Sequence, residues 1–429
     1  MFGHPLGLYI LFFTEMWERF SYYGMRAILV LYLVAQTENG GLGWSNEEAL
    51  SLYGWYTMFV YLMSIPGGMI ADKILGQKKS VMLGGLLLVA GHSLMAYTAP
   101  WAFYSALCLI VLGVGLLKPN ISTMVGGLYS HNDGRRDAAF TIFYIGINIG
   151  AFLASLVVGY VGERIGWHYG FALAGIGMAL GQAVFIWGQK HLKDVGNIER
   201  YSFKTGESHR PPLTAIERDR IKVLFISFLI VIVFWAAYEQ GGGFLNLYAD
   251  QLTNRNFLGW EVPASWFQAL NPIFIIGFGG VVAWIWTILA KKRREPSAIF
   301  KMGLGTVVMG VGFVLMIGAA MQRTQEASGL SSLWWLVGAY WFHTLGELAL
   351  SPVALAYITK LSPKHMVASM MGFYFAATGL ANKLAAELGA LSESLGDLGV
   401  FILIACLSIG LGSLLMIYTR RINRLAHEE

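Results

Sequence analysis

Four basic residues of this chain, Arg19, Arg26, Lys118 and Lys383, interrupt long apolar runs, and the carboxylates Glu15, Glu18, Glu239 and Glu347 do the same. An Arg or Lys at the centre of a lipid-facing helix costs roughly 2.5–3.5 kcal/mol, so such residues face protein or a water-filled cavity and are candidate functional groups. Glu15, Arg19, Tyr22 or Tyr23, and Arg26 recur at three- to four-residue steps and share one helix face, with Glu18 at its edge. Left in lipid, this segment would cost on the order of 10 kcal/mol. A purely structural ion-pair network would not need so many charges.

Other apolar runs carry their own polar residues. Lys118 precedes Pro119 and Asn120, and Asn271 precedes Pro272. Tyr144 and Asn148 are one turn apart, as are Trp235 and Glu239. Glu347 has His343 one turn before it and Ser351 one turn after. Cations thus fall on the first and fourth runs and carboxylates on the first, seventh and tenth, the opposed poles that a zwitterionic ligand requires.

The elements that must position these residues are membrane spans. Of 429 residues, 56% are hydrophobic and 13% charged, whereas soluble domains carry roughly 25% charged residues. Runs of about 20 apolar residues, each long enough to cross a bilayer, recur along the chain. They predict an all-α membrane protein with twelve spans, near 6–35, 48–73, 80–98, 101–127, 137–162, 168–190, 219–250, 264–290, 299–321, 331–360, 364–392 and 396–420. With alternate loops assigned to the cytoplasm, 23 Lys and Arg residues fall inside, while only Arg164, Arg255 and Arg323 fall outside. This bias predicts cytoplasmic termini. The first run carries too many charges to be a cleavable signal.

The longest hydrophilic stretch, 191–218, includes Pro211 and Pro212 and divides the chain into six-helix halves at 1–190 and 219–429. The net charge of +5 is accounted for by these short loops, so it points to topology and a lipid bilayer, with no nucleic acid as partner. Several features carry no chemistry of their own. Cys108 and Cys406 are expected as small buried packing residues. Lys383 and Glu387 form an i,i+4 ion pair near the outer end. His343 is expected to be packed and hydrogen-bonded, and Gly241-Gly242-Gly243 to permit close packing or bending. Metal-ligand spacings and the GxSxG and HExxH sequences are lacking, so no enzyme, metal or organic cofactor is expected. The tails and central loop of this sequence are short, so a sensor's output domain is not expected.

Two resemblances refine this reading. The stretch from Gly67 to Lys79, GGMIADKILGQKK, resembles the signature loop of the major facilitator superfamily, whose two halves surround a central cavity. That loop reads as a tight Gly-rich turn whose Asp and Lys can pair with helix ends. The stretch from Glu15 to Gly24, EMWERFSYYG, matches the ExxERFxYYG hallmark of the proton-dependent oligopeptide transporter family. FYIGINIG at 143–150 is similar to that family's FYxxINxG signature, and Lys118-Pro119-Asn120 and Gly346-Glu347-Leu348 look like family positions.

The resemblance implies a proton-coupled symporter that imports di- and tripeptides across the inner membrane by alternating access, working as a monomer with the proton as coupling ion. Arg26 and Lys118 would hold the peptide carboxylate and Glu347 its ammonium. Tyr22, Tyr61, Asn148 and Asn271 would bond the peptide backbone. Tyr23 and Trp235 would line side-chain pockets, and Ser351 joins this binding set. Arg26 with Glu239 would latch the outer side and Lys118 with Glu347 the inner side, beside a protonatable cluster of Glu15, Glu18 and Arg19. Amino acids, nitrate or drugs are the alternative cargo, although an anion offers no ammonium for Glu347. The chain departs from the family in three ways. The short 191–218 stretch leaves no room for the two extra helices of many bacterial relatives. Tyr53-Gly54-Trp55-Tyr56 lacks a helix-two histidine, implying a carboxylate route, and Tyr374 stands in place of a helix-eleven tryptophan.

Overall fold

Helix starts are written locally in the chain. Ser45 and Glu48 form a reciprocal capping box before α2 (Asn46–Ile70), and Thr214 and Glu217 do the same before α7 (Ala215–Tyr238). Pro100 opens α4 (Pro100–Gly127) at the position where its missing N–H costs nothing. Ser297 and Ser332 cap α10 (Ala298–Gln325) and α11 (Leu333–Leu361). The remaining helices are α1 (Leu6–Val34), α3 (Gln77–Met95), α5 (Arg136–Arg164), α6 (Trp167–Gly188), α8 (Phe244–Leu252), α9 (Leu270–Lys291), α12 (Val367–Ala390) and α13 (Ser392–Leu425). The computed structural model describes residues 3–130, 133–197, 213–363 and 366–428. Most of the divider between the halves, 198–212 with Pro211 and Pro212, lies outside the described residues, as does the loop cation Lys364.

Twelve spans result, because α7, a 3-10 turn at Glu239–Gly242 and α8 together make the seventh. Among the described residues, eight of the spans are by length and composition apolar enough to cross a membrane. The first falls short because of the ionisable stripe already described. In the first half α1 lies against α5 and α6, and α4 against α2 and α3; in the second α10 lies against α11 and α13, and α7 against α12. The halves meet through α2 with α12 and through α5 with α9 and the 3-10 turn Ala264–Ala269. The second span of each half thus meets the fifth of the other, the reciprocity expected of two similar bundles around a central site. This is the major facilitator fold.

The seventh span breaks at Gly243, with φ −114° and ψ −102°, and bending is one of the two roles expected of Gly241-Gly242-Gly243. Two expectations are corrected. Gly67 and Gly68 are not a turn but the last part of α2, where a Cβ on Gly67 would stand 2.0 Å from the Gly115 carbonyl oxygen, so glycine serves close packing on α4. The chain turns instead through a π-helical turn at Ala71–Leu75 and the left-handed Gly76, with Asp72 and Lys73 exposed. Cys108 and Cys406 are free and exposed rather than buried, because their helix faces look away from both bundles.

Candidate functional site

The stripe on α1 is buried among protein. The Arg19 Nε lies 2.9 Å from Glu15 and 2.6 Å from Glu18, with all three side chains almost fully enclosed. The Arg19 guanidinium also lies 5.7 and 5.9 Å from the ring centres of Tyr22 and Tyr23. Close approach of α5 is possible at Gly150, where a Cβ would meet the Met16 carbonyl at 2.3 Å. Two turns further along, Arg26 donates to the Tyr53 hydroxyl on α2 and to the Glu239 carboxylate. Glu239 belongs to the other half, so this pair joins the halves.

Across the cavity, Glu347 on α11 accepts from Asn271 Nδ2 at 2.8 Å, and the same nitrogen reaches Thr344 Oγ1 at 3.2 Å. Lys118 lies over the ring of Tyr61, its Nζ 4.1 Å from the centroid, a cation–π geometry. Between these groups is a cavity of about 160 Å³ lined by Tyr23, Arg26, Tyr61, Asn148, Trp235, Glu239, Asn271 and Glu347, among others. The sequence singles out all eight of these. The cavity therefore presents a cation on α1 and an uncompensated carboxylate on α11 to one shared space.

The polar contacts between the halves gather at the end of the molecule that carries Arg255. Asn246 donates to the Ala27 carbonyl at 2.8 Å, Asn46 and Gln251 exchange bonds at 3.2 Å, and Arg164 reaches Glu261. Arg26 with Glu239 lies on the cavity side of this layer. The cavity is thus closed toward the Arg255 end.

A model of the POT family matches residues 78–207 and 214–396, most of the chain. The chain belongs to the POT family. It is 36% identical to the peptide transporter YePEPT of Yersinia enterocolitica subsp. palearctica, over 90% of this chain and 88% of that protein. It is 34% identical to a di-/tripeptide transporter of Lactococcus lactis subsp. cremoris, over 99% of this chain and 97% of that one. A crystal structure of peptide transporter POT in complex with sulfate superposes with a TM-score of 0.92 at 38% identity, covering 99% of this chain and 96% of that one.

Some residues expected in the site of this POT-family chain stand apart from the cavity. Tyr22 is buried beside Arg19, Lys118 rests on Tyr61, and Ser351 is half-buried ahead of Pro352; the cavity lining does not include them. Glu15, Glu18 and Arg19 likewise form a separate cluster, with Lys118 within electrostatic range of Glu18. The expected Lys118–Glu347 pair is not made here, since each has the partner just described. His343 is packed as expected, its ring stacked on Phe313 at 4.7 Å, but its Nε2 is buried without a hydrogen-bond partner.

The lining also includes Tyr238, Gln268 and Tyr340, which the sequence reading does not name, and Tyr144 and His343, which it names without assigning them to the binding set. Tyr340 and His343 precede Glu347 on one helix face, and Tyr144 is one turn from Asn148, so periodicity pointed to them. Tyr53, which joins the Arg26–Glu239 pair, shares a face with Thr57 and Tyr61 at four-residue steps. Gln268 sits in a 3-10 turn and carried no such signal.

Proposed function

We propose that this transporter is a proton-coupled symporter importing di- and tripeptides by alternating access. The observation that carries the reading is the polarity of the central cavity, with Arg26 on one wall and Glu347 on the other. A peptide zwitterion would match both ends, its carboxylate at Arg26 and its ammonium at Glu347. Arg offers a planar fork for a carboxylate. Tyr61, Asn148 and Asn271 would bond the backbone between the poles, and Tyr23 and Trp235 would border side-chain space. The peptide transport printed for the Yersinia and Lactococcus relatives supports this substrate class. A carrier of this kind changes no covalent bond, so the chain acts as a transporter and not as an enzyme.

Proton coupling follows from the double use of Arg26. Glu239 holds it when the Arg255 end is closed, and a proton on Glu239 would free Arg26 for the peptide carboxylate. Lys118 would approach Glu347 when the opposite end closes, with Glu15, Glu18 and Arg19 as a second protonatable cluster. One charge crossing about 100 mV gains about 2.3 kcal/mol and each pH unit adds about 1.36 kcal/mol. One proton therefore supports concentration ratios of about a hundredfold or more. The basic-residue bias supports an orientation with the Arg255 end outside and both termini in the cytoplasm, and the helical spans suit an inner membrane. The units are the bundles 1–190 and 219–429 joined by 191–218, sufficient as a monomer.

The test is uptake of alanyl-alanine into liposomes holding the purified protein under an imposed proton-motive force, with Glu347→Gln in parallel. Accumulation that collapses with an uncoupler and is lost in the variant is expected. Failure of the folded wild type to take up or bind the peptide would move the assignment to another solute.

A further inference from the structure

A second buried carboxylate crosses between the halves at the Arg255 end. Glu163, near the end of α5, has a side chain only 9% exposed. Its Oε1 accepts from the Ser265 backbone N–H at 2.8 Å and the Ser265 hydroxyl at 2.5 Å, and its Oε2 accepts from the Ala264 N–H at 2.8 Å. Those donors belong to the 3-10 turn Ala264–Ala269 that leads into α9, in the other half. One turn earlier on α5, a Cβ on Gly159 would stand 2.1 Å from the Ser265 hydroxyl, so glycine there admits the contact. The Trp266 indole donates to the Leu156 carbonyl at 3.0 Å, extending the same seam.

The charged groups facing Glu163 are few. Arg255 Nη1 lies 3.7 Å from Oε2, and Arg255 also pairs with Asp250 at 3.2 Å and Glu261 at 3.0 Å. Arg164, next in the chain, reaches Glu261 at 3.2 Å. These five ionisable groups line a cavity of about 430 Å³ outside the central one. Glu163 is therefore buried enough to bind the halves and close enough to a mouth to exchange protons with the solution there.

We propose that Glu163 is a proton-binding site whose ionised form clasps the halves at the Arg255 end, in series with Arg26 and Glu239; this rests on the alternating-access reading. As a carboxylate it accepts from three donors in the opposite half and attracts Arg255. Protonated, it loses that attraction, and its O–H meets two backbone N–H donors and a Ser265 hydroxyl that must turn from donor to acceptor. Arg255 keeps Asp250 and Glu261 as partners, so neutralising Glu163 leaves no stranded cation. Acidification from the Arg255 side thus loosens the outer seam and favours the state that opens there.

The experiment measures distances between spin labels at Glu38→Cys and Leu258→Cys, one exposed site on each half at that end. Cys108 and Cys406 are replaced by Ser, and the protein is reconstituted in liposomes. Lowering the pH should add a longer-distance population in the otherwise wild-type protein. Glu163→Gln should carry that population at neutral pH, with a roughly tenfold higher open-to-closed ratio, and respond less to acid. Glu163→Asp, which keeps a titratable carboxylate, should restore the response. The proposal is overturned if Glu163→Gln matches the wild type, or if its baseline shifts while the full acid response remains. A wild type that holds one distance at every pH and with saturating alanyl-alanine would instead overturn alternating access, and this inference with it.

Discussion

The Arg26 guanidinium donates to the Glu239 carboxylate across 213 positions of chain, joining the first span to the break in the seventh. Both side chains are buried. Removing one member of a buried pair typically costs 3–5 kcal/mol, roughly because the other charge is stranded, and about 3 kcal/mol shifts a two-state equilibrium more than a hundredfold. Glu239→Gln should therefore unlatch the Arg255 end. Peptide exchange across the membrane should persist, while gradient-driven accumulation is abolished. Glu18→Gln should show the same split through the cluster on α1. Unimpaired accumulation in both variants would remove these carboxylates from coupling.

The latch depends on a glycine. A Cβ on Gly242 would stand 2.1 Å from the Tyr53 hydroxyl and 2.8 Å from Arg26 Nη2. Overpacking of this kind costs about 1–3 kcal/mol, and here it falls on the groups that pair with Glu239. Gly242→Ala should lose accumulation and melt at a lower temperature. Gly280→Ala, on α9, meets open space and should melt no lower than the wild type, since Ala suits a helix better than Gly by about 0.5–1 kcal/mol. Thermal unfolding in detergent with uptake in liposomes separates the two.

How much of this was legible beforehand depends on the kind of signal. Charge is expensive in apolar surroundings, so Glu15, Arg19, Arg26, Glu239 and Glu347 were marked as site residues by sequence position alone. The alternation of basic loops likewise gave the number of spans. The break after Glu239 was not legible as a break, because three glycines are equally compatible with a bend or with a close helix contact. The structure shows both: a break at Gly243 and a close approach of Tyr53 and Arg26 at Gly242. The exposure of Cys108 and Cys406 was hidden for a related reason: in lipid, an apolar residue facing outward and one facing inward look alike in sequence. Glu163 was missed because a carboxylate at a helix end reads as a solvated group.

A surface carboxylate supplies a contrast for pH. Asp133, in the turn before α5, accepts from the Arg135 backbone N–H at 2.9 Å and from its guanidinium at 3.0 and 2.7 Å. These bonds hold its carboxyl well below the ordinary range, at about 2. A lowered value in the folded state gives a contribution present above the unfolded value and lost only as pH falls toward 2. Asp133 thus stays ionised throughout the range in which a transporter works. Asp133→Asn should leave the pH profile of peptide uptake unmoved, while Glu18→Gln and Glu239→Gln flatten it. A displaced profile for Asp133→Asn would count against confining proton response to the buried carboxylates.

The last prediction concerns the aim of Glu347. Asn271 Nδ2 sits 2.8 Å from its Oε2 and 3.2 Å from Thr344 Oγ1, whose own hydroxyl donates to the Tyr340 carbonyl at 2.7 Å. The carboxylate is therefore oriented from outside α11, by a residue at the start of α9. Hydrogen bonds to charged groups contribute about 1.5–3 kcal/mol, so Asn271→Ala should weaken apparent affinity for alanyl-alanine by roughly ten- to a hundredfold. N-acetyl-alanyl-alanine has no ammonium to meet Glu347, so its weaker interaction should lose only what Asn271 gives the peptide backbone, a smaller change. The preference for the free amino terminus should shrink in Asn271→Ala and nearly vanish in Glu347→Gln. Competition of each peptide against labelled alanyl-alanine reads this directly. An equal loss for both peptides would mean that Asn271 supports the cavity wall as a whole and does not aim the carboxylate.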